Sequence, residues 1–115
     1  MTCQAAVDLL IGHRSWLVRD DFLGYVGCCR GFHGESVAAI DWLVVWAALE
    51  GGHLPCSSGE RQVLRVAVSI AEGVSIDLRD AVTGLDAVNG GLVARAVLAA
   101  GGHREAAAAL AGVMA

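Results

Sequence analysis

The sequence predicts an all-α domain, and three observations predict it. Apolar residues recur at helical spacing through most of the chain. Two apolar runs close on the same tripeptide, Gly51-Gly52-His53 and Gly101-Gly102-His103. Paired glycines just past a helix supply the left-handed conformation that ends it. The single proline, Pro55, leaves both halves of the chain free to be helical. The expected architecture is a compact array of five or six short helices around a central apolar helix at about 35–50. At 115 residues the chain fits one domain, 1–115, with one core.

In chain order, Thr2 caps a first helix that runs to about Ile11, with Ala6, Val7, Leu10 and Ile11 on one face and Gly12-His13 at its end. Asp20 and Asp21 suit the N-cap and first turn of a short or irregular helix carrying Phe22, Leu23, Tyr25 and Val26. Gly24 and Gly27 each weaken that helix by roughly 1 kcal/mol relative to Ala. Cys28 to Gly34 reads as a loop. Glu35 to Glu50 is the expected central helix, apolar almost all round, and such a helix must be covered all round. Trp42, Val45, Trp46 and Leu49 form one of its stripes; Ile40, Leu43, Val44 and Ala47 form another. One stripe faces the core, and the other is left for a partner.

Ser57 and Glu60 have the spacing of a capping box, opening a helix that Gly73 stops. Asp77 or Asp80 starts a short helix containing Leu78, Ala81, Val82 and Leu85, and Asp86 caps a longer one to Ala100. Arg104 to Ala115 is Ala-rich, either a terminal helix or a frayed tail. The two Gly-Gly-His helices share little beyond that tripeptide, so the sequence is not read as an internal repeat.

Composition narrows the function classes. Apolar residues make up 56% and charged residues 17%, against about 25% charged in ordinary domains. So little charge leaves apolar surface for a partner to cover, most simply a second copy. The net charge is −4 and every basic residue is Arg. That balance argues against general nucleic-acid affinity, which needs a basic footprint. The sequence has no uncharged apolar run of membrane-spanning length and no basic stretch ahead of its first apolar segment, so a cytoplasmic location is expected. In that compartment the four cysteines are expected as reduced thiols.

The residue types that can carry chemistry are few. Cys29 and His33 form a Cys-x3-His pair, His53 and Cys56 a His-x2-Cys pair, and Cys28 is a substitute ligand. Tetrahedral zinc takes such donors. An unbroken helix over 35–50 would hold the pairs about 24 Å apart at 1.5 Å per residue, so only an antiparallel dimer would close the site. The competing reading is buried cysteines with loop histidines. Cys56 beside His53 has the types for a thiol nucleophile but lacks a third residue. Asp41 is either a perturbed carboxylate or a solvent-facing one. Asp77, Asp80 and Asp86 read as helix caps before an acidic cluster. A helix-turn-helix reading of 77–100 leaves only Asn89 and Arg95 for DNA, too little for a recognition helix. The Asn89-Gly90-Gly91 run lacks the strand and lysine of a phosphate loop.

Residues 57–102 also resemble a group of known sequences. The capped helix from Ser57, the connector Val74-Ser75-Ile76-Asp77-Leu78, and Gly84-Leu85-Asp86 followed by Asn89 are similar to the C-terminal portion of small uncharacterised actinobacterial proteins. The resemblance implies a helical fold and no activity. The expected function is a non-enzymatic protein–protein interaction or scaffold module without cofactor, self-associating through Trp16, Trp42, Val45, Trp46 and Leu49. The alternative is a zinc-binding dimer using Cys28, Cys29, His33, His53 and Cys56.

Overall fold

A computed structural model describes residues 2–30 and 36–114. In order, the elements are α1 (Thr2–His13), a 3-10 turn (Trp16–Val18), α2 (Asp20–Leu23), β1 (Val26–Arg30) and β2 (Ser36–Ile40). They continue with α3 (Trp42–Glu50), α4 (Ser58–Glu72), α5 (Leu78–Thr83), α6 (Ala87–Ala100) and α7 (Arg104–Met114). The all-α class holds, with seven α-helices and one two-stranded sheet among the described residues. Arg104–Met114 is a terminal helix, and it packs on α6.

The expected central helix is half as long as its apolar pattern suggests. Ser36–Ile40 of that run pairs instead with Val26–Arg30 in an antiparallel hairpin, so Cys28 to Arg30 of the expected loop are strand; residues 31–35 lie outside the described residues. Val26 pairs with Ile40, Gly27 with Ala39, Cys28 with Ala38, Cys29 with Val37 and Arg30 with Ser36. Val37 and Ile40 are β-branched and suit a strand, and a continuous apolar run of this length carries no period that separates strand from helix. Asp41 marks the change. Its carboxylate accepts from the Val44 amide at 3.4 Å, so it stands at the N-cap of α3 rather than inside a helix.

The hub is α4, not α3. Helix α4 packs against α1, α3, α5 and α6, and α1 lies against both α4 and α6. Along α4, Val63, Leu64, Val66, Ala67 and Val68 are buried while Arg61, Arg65 and Ser69 stay at its margins. Its N-terminus carries the full capping box: Ser57 Oγ accepts from the Glu60 amide at 3.2 Å, and Glu60 Oε1 accepts from the Ser57 amide at 3.0 Å. Trp16 is fully buried and its indole N–H donates to the Glu60 carbonyl at 2.9 Å. The Trp16 ring meets Phe22 at 5.5 Å between centroids, and the Arg19 guanidinium covers it at 4.5 Å.

Both Gly-Gly-His runs fold identically. The His53 amide donates to the Ala48 carbonyl at 2.9 Å and the Gly52 amide to Leu49 at 3.3 Å; the His103 amide donates to Leu98 at 2.9 Å and the Gly102 amide to Ala99 at 3.0 Å. These are the paired bonds of a Schellman motif. Gly52 and Gly102 have φ of +79° and +86°. The first glycine of each pair has a different task. A Cβ at Gly51 or Gly101 would stand 3.1 Å from the Cδ2 of the histidine two residues on. The imidazole therefore folds back onto its own helix end.

Helix α1 ends otherwise than expected. Gly12 lies inside it, and the left-handed position falls to Arg14, with φ of 73°. A Cβ at Gly12 would stand 3.0 Å from Leu92 Cδ2 and 3.3 Å from Arg95 Nη2, so this glycine lets α6 approach α1.

Replacing Gly52 or Gly102 by Ala is expected to cost roughly 1–2 kcal/mol of unfolding free energy through the left-handed penalty. Arg14→Gly should be neutral or stabilising by up to about 1 kcal/mol, because that position already bears the penalty. Urea unfolding of the three variants measures both; equal losses in all three would refute the assignment.

Candidate functional site

The outward face of α3 differs from the one the aromatic pattern suggests. Trp42, Val45 and Leu49 are buried in the chain's own core, as is Trp16. These four are therefore not surface anchors. The physical reason is helix phase: residues 42, 45, 48 and 49 share the side facing α4, and the core takes the larger side chains. Trp46 lies at the margin, half-buried, with the Arg65 guanidinium 5.8 Å from its ring centroid. Arg65 also reaches Asp80 at 3.2 Å and Glu50 at 3.8 Å, tying α3, α4 and α5 together.

What faces outward is the other stripe. Leu43 is 57% and Val44 47% exposed, and Ala47 is exposed beside them. This stripe continues onto the hairpin. Gly24, Tyr25, Val26, Gly27, Ala39, Ile40, Asp41 and Val44 line a shallow groove of about 400 Å³. Leu23, just before it in the chain, is also exposed. Asp41 and Tyr25 are the titratable groups along this groove.

The residues of the two Cys/His pairs fall on different segments of the chain. Cys28 and Cys29 occupy consecutive positions in the middle of β1, and His33 lies outside the described residues. His53 is exposed with its ring against Gly51, and Cys56 is half-buried beyond it. Helix α3 still separates the hairpin from His53 and Cys56, now by nine residues or about 13 Å of helix. Among the described residues no three His, Cys, Asp or Glu side chains gather as a metal-holding group. Burial, and next the Glu60 carboxylate, push the Cys56 thiol up, which disfavours the thiolate that a nucleophile or ligand needs. The carboxylates Asp77 and Asp86 cap α5 and α6, accepting from the Asp80 and Asn89 amides at 3.1 and 2.8 Å.

A cluster of titratable groups that the sequence did not single out lies where the end of α1 meets the starts of α4 and α6. His13 is half-buried and its Nδ1 has no hydrogen-bond partner among the described residues. Burial lowers its pKa, opposed by the nearby carboxylates Glu60 and Asp86. Glu60 is held below the usual carboxylate range, chiefly by the Ser57 amide. No signal in the sequence joined His13 to Glu60, because the two meet only through the packing of α1 on α4.

No protein-family model, curated protein or solved structure matches this chain.

The lowered pKa of His13 gives stability a defined pH dependence. Above the ordinary value of 6.5 the ring is neutral whether the chain is folded or not, and stability is complete. As pH falls below that value the unfolded chain takes up the proton first, and stability declines by at most about 1.4 kcal/mol per pH unit. His13→Gln should flatten this slope while leaving the loss below the ordinary Glu value of 4.5, where Glu60 titrates. Urea midpoints across pH for both proteins test it; parallel curves would exclude His13 as the source.

Proposed function

We propose that the protein is a non-enzymatic interaction module that pairs with a second copy of itself through the outward face of α3 and the adjoining hairpin. The observation that carries this reading is the continuous apolar surface formed by Leu43, Val44 and Ala47 with the groove floored by Tyr25, Val26 and Ile40. A two-stranded sheet is marginal in water by itself, and β1 and β2 each pair only with one another among the described residues. A second hairpin meeting an open edge supplies main-chain partners, while α3 supplies the buried apolar area. A two-fold axis makes one such patch sufficient for both partners. Trp46, at the edge of the stripe, is the aromatic of α3 best placed to contribute.

Supporting circumstances are the low charged fraction, 17%, and the absence from the described residues of any helix long and apolar enough to cross a membrane. The alternative, zinc shared between copies by Cys28, Cys29, His33, His53 and Cys56, is read out by the same measurement. It requires metal in the native mass and loss of the dimer with chelator.

Native mass and light scattering are expected to give a metal-free dimer that Val44→Asp converts to monomer. Burying a Val or Leu stabilises by about 1.5–3 kcal/mol, and a charge there costs at least as much, so dissociation should rise ten- to hundred-fold or more. Circular dichroism should show the variant's helix content unchanged. A wild-type protein that stays monomeric at roughly 1 mM, a weak-affinity limit near −4.1 kcal/mol, would overturn the proposal.

A further inference from the structure

A second surface is formed by α1, α6 and α7. These helices frame an open groove of about 380 Å³, with Ala5 and Leu9 of α1, Ala96 and Ala99 of α6, and Ala107 and Ala108 of α7 among its lining. Its volume lies at the small end of the ~300–1,000 Å³ typical of ligand clefts. The floor and walls are mostly alanine, and alanines at corresponding positions of three packed helices leave space that longer side chains would fill. The polar groups are few and convergent: two guanidiniums and one carboxylate.

Arg61, Arg65 and Arg19 each have a carboxylate partner. Arg14, Arg79, Arg95 and Arg104 have none among the described residues; of these four, Arg95 and the exposed Arg104 are the two that line this groove. Arg95 is half-buried, with Nη2 3.3 Å from where a Cβ of Gly12 would stand. A residue larger than glycine would push the guanidinium away, so Gly12 makes the room in which Arg95 lies. Asp8, on the same face of α1 one turn earlier, accepts from Gln4 Nε2 at 2.8 Å and forms no ion pair with either arginine. The groove therefore carries one net positive charge on a chain whose net charge is −4.

We infer that this groove binds a small monocarboxylate with an apolar body, its head on Arg95 and Arg104 and its hydrocarbon on the alanine floor. Guanidinium is suited to a carboxylate because its parallel N–H donors match the two oxygens. One net charge suits a monoanion, and the volume suits a medium-length aliphatic chain rather than a long one. Asp8 repels the head group and so directs it toward the α6–α7 side. The site is independent of self-association through α3 and the hairpin, which none of its lining residues joins.

The probe is octanoate, titrated into the full-length protein with amide chemical shifts as the readout, and 1-octanol as the uncharged comparison. Saturable shifts centred on Ala5, Ala96 and Ala107 are expected below roughly 10 mM, the range a ligand of this size can reach. Arg95→Gln should weaken octanoate about tenfold or more, one charge-assisted pair, and leave octanol unchanged. Asp8→Asn should tighten octanoate. Ala108→Leu, at an exposed position, should abolish binding of both by filling the groove while leaving the fold intact. Octanol binding as tightly as octanoate, an Arg95→Gln variant that binds octanoate normally, shifts confined to the hairpin, or no saturable shift would each overturn the inference.

Discussion

The contact on which the rest of the fold depends is the buried indole of Trp16 against the first turn of α4. A tryptophan sealed from water must place its N–H on an acceptor, and here that acceptor is the carbonyl of Glu60. The same residue closes the capping box with its carboxylate. One residue thus fixes both the start of the hub helix and the position of the 3-10 turn, with Phe22 and Arg19 both held against the ring. From that junction α4 runs through the middle of the helices. Against it lie α1, α3, α5 and α6, so an error in where α4 begins would displace four interfaces together.

Much of this was legible in the sequence because it is written locally. Ser57 and Glu60, Asp77, Asp86 and the Gly-Gly-His runs are short-range signals whose partners lie within five residues, and each forms the cap or stop that its spacing implies. The fold class follows from such signals. The hairpin was not legible. Residues 35–40 continue the apolar run of α3, and the preference of Val37 and Ile40 for a strand is too weak to mark a boundary unless pairing with residues 26–30 is known. Asp41 was the signal present but misread: a carboxylate within an apolar run is as much a helix start as an interruption.

The surface was misassigned for a related reason. Aromatic residues are common interface anchors, but they also bury the most area in a core, and periodicity alone does not say which side of a helix faces inward. In α3 the inward side takes Trp42, Val45 and Leu49, and the outward side keeps Leu43 and Val44. The groove between α1, α6 and α7 was invisible at the level of sequence because it is made of what is missing. Gly12 and the alanines of three helices combine only once those helices are packed, and Gly12 read by itself resembles a helix end.

The hairpin enters and leaves the helical core at a single point. The Asp41 amide donates to the Tyr25 carbonyl at 3.2 Å, so the chain returns to where it departed before α3 begins. Everything between those two residues is an excursion whose ends are already joined, and its length adds only a logarithmic closure entropy. Val26 and Ile40 at its base pack against the core, so a change of length beyond them leaves the paths of α1 and α4 as they are.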